Sequence, residues 1–306
     1  CRSRRGGIGG SDIPVLFGEG YRTDSEYRLW LDKFGFLDDG EIGGAAQRGV
    51  WLEPHLADWF SEKTGMVCLR AGLVQHREQV ELRATPDRLV DGGRGARGCV
   101  EIKTFSSMAR DGDGERLRKT WRRGQPPERV WMQGQWQLAA TGLDQVWFVG
   151  YELDREPILR GPYGRDETLI AQMRERAASW WDWHVRGATP PPVDLATLTE
   201  DEADLRWPTV TIKGAVEADQ PYRLLQLLAD RAELAATASD GRAADKARKA
   251  IDVQLRALVG DAEGLLVGGV PVLSCKEQDS APHVDPQLEH DHPEIWAQYV
   301  TRTRFR

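Results

Sequence analysis

Apolar residues recur along this chain at two periods, and the switch between them lays out its elements. Tyr27, Leu29, Trp30 and Phe34 recur at helical spacing. Thr23-Asp24-Ser25 offers side-chain oxygens to cap such a helix, and Gly35 is suited to end it. A second helix is predicted over 45–64, where Trp51, Leu52, Leu56, Trp59 and Phe60 make an apolar stripe. Pro54 lies inside it and predicts a kink or restart just after Glu53, because proline has no N–H to donate. Residues 66–75, 79–85, 87–91 and 98–104 read as strands, the last rich in β-favouring residues. A helix over 128–141, a strand over 145–152 (Val146, Trp147, Phe148, Val149) and a long helix over 165–186 follow. Residues 1–22 form a Gly-rich opening segment with no predicted element.

Pro190-Pro191-Pro192 marks a linker. Beyond it, 221–259 is rich in Ala, Leu, Arg and Glu with Asp240-Gly241 near its middle, which predicts a helical hairpin or coiled-coil arm. Leu265-Leu266-Val267, Gly268-Gly269 and Val270-Pro271-Val272-Leu273 predict a small β-hairpin. The expected fold class is α/β, a central mixed sheet flanked by helices, with a C-terminal helical appendage and small hairpin. The expected division is a main domain over 1–187, a linker or extension over 188–220, and an arm, hairpin and tail over 221–306.

Composition narrows the classes. With 306 residues and 40% hydrophobic content, the chain can bury a proper core. It has no run of 18 apolar residues, so no membrane span is expected. The basic N-terminus lacks the apolar stretch of a secretory signal. The chain begins at Cys1 rather than Met, so further residues are expected upstream. Cys1, Cys68, Cys99 and Cys275 are scattered without Cys-x-x-Cys spacing. That argues against structural zinc, an iron–sulfur cluster or a disulfide scaffold, and suits a reducing cytoplasm. The net charge of −7 is unlike that of proteins that bind DNA through bulk charge. Basic residues are local instead: Arg2 to Arg5; Arg116, Arg118, Lys119, Arg122, Arg123 and Arg129; and Arg302, Arg304 and Arg306. Solvated faces and a basic channel in an acidic shell give the same totals, so charge does not decide.

The candidate chemistry lies on two adjacent predicted strands. Thr85-Pro86-Asp87 precedes a Gly/Arg-rich turn, and Val100-Glu101-Ile102-Lys103-Thr104 follows it. Residues two apart in a strand share a face, so Glu101 and Lys103 lie together while Ile102 points to the core. Paired as a hairpin, the strands bring Asp87 to that same face. Buried charges are costly unless paired or bound to metal, and this set suits a divalent cation beside a phosphate.

The pattern Asp-(turn)-Glu-x-Lys resembles the PD-(D/E)xK nuclease signature, and the order of surrounding blocks makes it specific. These are Arg4-Arg5-Gly6-Gly7-Ile8-Gly9-Gly10-Ser11-Asp12, Arg48-Gly49-Val50-Trp51-Leu52-Glu53-Pro54, the two strand motifs, and Gln133-Gly134-Gln135-Trp136-Gln137 leading into Ala140-Thr141-Gly142. From about Arg4 to His184 the chain resembles the YqaJ family of viral recombinases, which are lambda-exonuclease-like. The resemblance implies a restriction-endonuclease-like core and 5′-to-3′ exonuclease action on linear double-stranded DNA. It also implies 3′ overhangs handed to a single-strand-annealing protein, and a ring-shaped homo-oligomer. The setting would be the cytoplasm of a bacterial host cell.

For the site, the resemblance implies Mg²⁺ or Mn²⁺ on Asp87, Glu101 and the Ile102 backbone carbonyl, with Lys103 positioning the attacking water. It assigns Glu53 a second-metal or outer role, and the glutamine-bearing helix a contact with the active site and nearby DNA, through Gln133 first and Gln135 second. Arg4 and Ser11 would hold a 5′-phosphate. The alternatives are an endonuclease on the same core and a non-catalytic DNA-binding or assembly module. His283, His290 and His292 read as a solvated tail, and Trp180, Trp181 and Trp183 as core or interface. No Ser-His-Asp or Cys-His ordering is present.

Overall fold

The computed structural model of the chain describes residues 2–21, 24–37, 43–91, 97–110, 115–195, 197–207, 212–236, 242–275, 278–279 and 304–305. It divides into two compact units, Cys1–Thr197 and Leu198–Arg306. The first contains α1 (Arg2–Arg5), α2 (Ile13–Leu16), α3 (Glu26–Phe34), α4 (Gly44–Thr64), β1 (Val67–Arg70), β2 (Val74–Gln75), β3 (Arg83–Ala84), β4 (Arg88–Asp91) and β5 (Arg97–Phe105). It continues with α5 (Leu117–Arg122), α6 (Glu128–Thr141), β6 (Gln145–Glu152), β7 (Ile158–Gly164) and α7 (Glu167–Trp180), which runs into a π-helical turn, Trp181–Arg186.

Five strands form one sheet in the order β1-β4-β5-β6-β7. β5 and β6 are parallel and the other neighbours antiparallel, making a mixed sheet. The period of two sorts its side chains into two layers. Val100, Ile102, Trp147 and Val149 pack with Leu56, Ala57 and Phe60 of α4. Cys99, Phe105, Val146 and Phe148 pack with Val130 and Leu138 of α6 on the other face. Gly134 lets α6 lie close, since a Cβ there would fall 2.4 Å from Phe148 Cζ.

Local chemistry explains most boundaries. Ser25 Oγ accepts the Arg28 N–H at 3.0 Å to start α3, and Gly35 ends it at φ 78°. α4, by contrast, runs unbroken through Pro54, so the expected restart after Glu53 does not occur. Leu52 before the proline and Leu56, Ala57 and Phe60 after it share one apolar cluster, and that packing supports the helix on both sides of Pro54. Trp51 leaves the expected stripe and is 64% exposed. The stretch 66–75 is not one strand: β1 joins the main sheet while β2 pairs with β3. β7 and α5 form where no element was predicted, as do the short α1 and α2. Trp180 and Trp181 are buried, whereas Trp183 is exposed.

In the second unit, α8 (Glu200–Arg206) starts at a capping box between Thr199 and Glu202. β8 (Ile212–Glu217), α9 (Pro221–Ala236), α10 (Arg242–Val259), β9 (Ala262–Val267) and β10 (Val270–Ser274) follow. α9 and α10 pack together with a cluster that includes Leu224, Leu227, Leu255 and Leu265. β9 and β10 form the hairpin, and β8 adds to β9 in parallel. α8 and β8 lie in the stretch expected to be linker or extension. Asp240-Gly241, His283, His290, His292, Arg302 and Arg306 lie outside the described residues. No described helix is long and apolar enough to cross a membrane.

Candidate active site

The site forms where the β4–β5 ladder stops. Its last pair is Arg88 with Val100, and beyond it the Asp87 side chain stands in for a strand: its Oδ2 accepts the Ile102 N–H at 2.7 Å. The N–H and C=O of one strand residue face the same edge, so the Ile102 carbonyl is turned toward Asp87 as well. Glu101 and Lys103 project from the face covered by α6. Lys103 Nζ lies 2.5 Å from Glu101 Oε1, and Gln137 of α6 donates its amide to Glu101 Oε2.

This geometry sets the electrostatics. Burial, then the neighbouring Glu101 carboxylate, push the Asp87 pKa up to about 8, against the opposing pull of Lys103 and the Ile102 N–H. Burial also pushes the Lys103 ammonium down. The attraction of Glu101 and Asp87 outweighs that, leaving its pKa above the usual lysine value.

Asp87, Glu101, Lys103, Gln133 and Gln137 line a cavity of about 330 Å³, and Arg4 and Ser11 line it from the N-terminal segment. That segment is anchored rather than loose. Ile8 donates to the Glu81 carbonyl at 2.6 Å and accepts from the Arg83 N–H at 3.0 Å. Trp136 Nε1 donates to the carbonyls of Ile8 and Arg83 at 3.2 and 3.0 Å. Gly7 permits the approach, because a Cβ there would sit 2.4 Å from the Glu81 oxygen. Asp12 Oδ2 accepts the Gly9 N–H at 2.8 Å and pairs with Lys33 Nζ at 2.6 Å.

Two expected site residues lie elsewhere. Gln135 is fully buried on another side of α6, where its amide donates to the Gly164 carbonyl at 3.0 Å and accepts the Asp166 N–H at 2.8 Å. Glu53 pairs with Arg88, which by strand alternation lies on the α4 face of the sheet, opposite Asp87. Arg88 also donates to the Asp87 backbone carbonyl, so Glu53 reaches the site through Arg88. Gln137 is the functional candidate that sequence reasoning passed over, although it shares a helix face with Gln133. Nothing in the sequence marked Arg88 or Lys33.

The donors present fit a hard divalent cation. Asp87 and Glu101 supply carboxylates and the Ile102 carbonyl faces their edge. The side-chain oxygens of Gln133 and Gln137 are buried without a hydrogen-bond partner. Among the described residues no group of three or more His, Cys, Asp or Glu side chains converges. A Mg²⁺-type ion needs only one or two carboxylates and keeps water or phosphate oxygens.

A mixed sheet flanked by helices, with an aspartate at the end of one strand and Glu-x-Lys on its neighbour, defines a restriction-endonuclease-like fold. Residues 1–144 match the model of the YqaJ-like viral recombinase domain. No curated protein is matched. Among solved structures, an alkaline exonuclease, LHK-Exo from Laribacter hongkongensis, is 24% identical over 60% of this chain and 94% of its own, with TM-score 0.48. A structure of LHK-Exo in complex with dAMP gives 24% identity over 61% and 95%, with TM-score 0.49. A phage related exonuclease from Haemophilus somnus 129PT is 14% identical over 60% and 96%, with TM-score 0.40.

Proposed function

We propose that the chain is a divalent-metal-dependent deoxyribonuclease that digests linear duplex DNA from its ends, 5′ to 3′, and leaves 3′ single-stranded overhangs. The observation that carries this reading is the joining of two groups in one cavity. Asp87, Glu101 and Lys103 line it together with Arg4 and Ser11 of the anchored Gly-rich segment. Asp87, Glu101 and the Ile102 carbonyl would hold Mg²⁺ or Mn²⁺. Such an ion, when bound, lowers the pKa of a coordinated water and offsets charge on the phosphate.

The remaining work falls to side chains. Lys103, held by Glu101, orients the nucleophile and offsets the negative charge that develops on the scissile phosphate. Gln137 fixes the Glu101 carboxylate, and Gln133 presents a second amide beside it. Arg4 gives a forked cationic contact to a terminal phosphate, and Ser11 a hydroxyl. By the domain's family, the reading extends to a ring-shaped homo-oligomer in the bacterial cytoplasm that passes overhangs to a single-strand-annealing protein.

The test uses linear duplex DNA labelled at each end, with and without a 5′-phosphate, in Mg²⁺, with wild type beside Lys103→Ala. Mononucleotides released from the phosphorylated 5′ end by wild type alone are expected. Internal cuts move the reading to an endonuclease. If wild type and Lys103→Ala behave alike in Mg²⁺ and Mn²⁺, the chain is a binding or assembly module.

A further inference from the structure

Two arginines singled out by the sequence, Arg48 of the Arg48–Pro54 block and Arg129 of the basic cluster, have no part in the site described so far. Both line a second cavity of about 350 Å³, which meets the first at Lys103. Among the described residues, the charged side chains of its wall are Arg48, Lys103, Arg110 and Arg129, with no carboxylate, in a chain of net charge −7. The first cavity, in contrast, is mixed: its four carboxylates stand among Arg4, Arg5, Lys33 and Arg83. A wall whose described charges are all positive, beginning at that lysine, suits an anion that continues past it.

The wall also has a built element. The Arg129 guanidinium lies 3.9 Å from the centroid of the Tyr21 ring, which fixes its plane. Its Nη1 is buried with no hydrogen-bond partner, and a buried donor without an acceptor is costly. A phosphate oxygen would satisfy it in the forked geometry that guanidinium groups favour. Leu117 and Leu153, both half-buried, add apolar surface for a sugar or base.

We propose that this second cavity binds the digested strand just beyond the cut, with the next phosphate on the 3′ side of the scissile bond held by Arg48 and Arg129. The inference rests on the nuclease reading. With the terminal phosphate at Arg4 and Ser11 and the cut phosphate at Lys103, the strand leaves past Lys103 into the basic cavity. A released mononucleotide has the same chemistry, and the test separates the two.

The first cleavage of duplex DNA is followed with one phosphate replaced by a neutral methylphosphonate, at the position one nucleotide beyond the scissile bond. Wild type is compared with Arg48→Gln, an exposed position on α4, and with Arg129→Gln. Neutralising that phosphate is expected to lower wild-type kcat/KM about tenfold, and each substitution to do much the same on unmodified DNA. Combined, the two changes are expected to cost little more than either alone. If the losses multiply in an active enzyme, the cavity does not hold that phosphate and the proposal fails. It fails equally if Arg48→Gln abolishes competition by free 5′-mononucleotide while the losses still multiply, which assigns the cavity to product. A wild type that cleaves no DNA in Mg²⁺ or Mn²⁺ takes down the nuclease reading first, and this inference with it.

Discussion

Gln137 of α6 holds Glu101 of β5 from across the layer between helix and sheet, donating its amide to the carboxylate oxygen that Lys103 leaves free. The contact exists because Gly134 lets the helix approach and because Gln133 and Gln137 stand one turn apart. Gln137→Leu keeps the volume and removes the donor. Under the proposed mechanism it should lower kcat about 10- to 100-fold, the usual cost of losing the partner of a metal-binding carboxylate. End-labelled DNA cleavage against Mg²⁺ concentration checks this; a wild-type rate at every concentration would show that Glu101 needs no such support.

Gln135 provides the opposite case on the same helix. Both ends of its amide are spent on the β7–α7 junction, at Gly164 and Asp166. Gln135→Ala should cost about 2 kcal/mol of stability through unpaired buried groups, while kcat per folded molecule stays near wild type. Thermal melts with active-site titration separate the two effects.

Helical and strand periods made part of this legible. α6 and β6 have the predicted bounds: β6 is a continuous apolar run buried on both faces, and α6 ends at Gly142. Alternation alone puts Glu101 and Lys103 on one face. β7 was not legible: Ile158–Gly164 has glycine and proline in its interior and little buried apolar surface, so it forms by pairing with β6. The choice among three glutamines required knowing which side of α6 meets the sheet. The second cavity draws on residues from Tyr21 to Leu153, a juxtaposition no local pattern encodes.

Glu53 and Arg88 allow a test that separates support from ligation. Arg88 is buried, while the Glu53 side chain is 31% exposed. Glu53→Ala leaves that guanidinium poorly compensated and should cost about 2 kcal/mol, below the range for fully buried pairs because water screens the outer carboxylate. Glu53→Gln retains an acceptor and should recover most of the stability. If Glu53 acts only through Arg88, Glu53→Gln also recovers most of the cleavage rate; full stability with cleavage down more than about tenfold would make Glu53 a direct participant.

The raised Asp87 pKa predicts how the metal-free protein responds to pH. A carboxyl whose folded pKa exceeds its unfolded one contributes its full stability below the unfolded value, here 3.8, and loses that contribution as pH rises through the folded value of about 8. The melting temperature of metal-free protein should therefore fall across that window, and more gently in Asp87→Asn. A divalent cation should restore it, releasing close to one proton per ion bound near pH 7. Identical melting profiles for wild type and Asp87→Asn would mean that Asp87 is ionised throughout.

Gly134→Ala tests whether closeness of helix and sheet, rather than glutamine identity, builds the site. The added Cβ would fall 2.4 Å from Phe148 Cζ and 3.1 Å from Val146 Cγ2, both in the apolar layer between α6 and β6. Alanine favours a helix by about 1 kcal/mol over glycine, so on propensity alone the change stabilises. Overpacking of about 1–3 kcal/mol opposes it, and the net expectation is destabilisation by about 1 kcal/mol. Moving α6 outward by a fraction of an ångström also lengthens the Gln137–Glu101 contact, so cleavage should fall more than the lost stability explains. Phe148→Leu in the same chain makes room for the methyl group. Recovery of cleavage in the double variant beyond that of either single change would tie activity to the spacing of the layers; additive losses would make Gly134 a residue of stability alone.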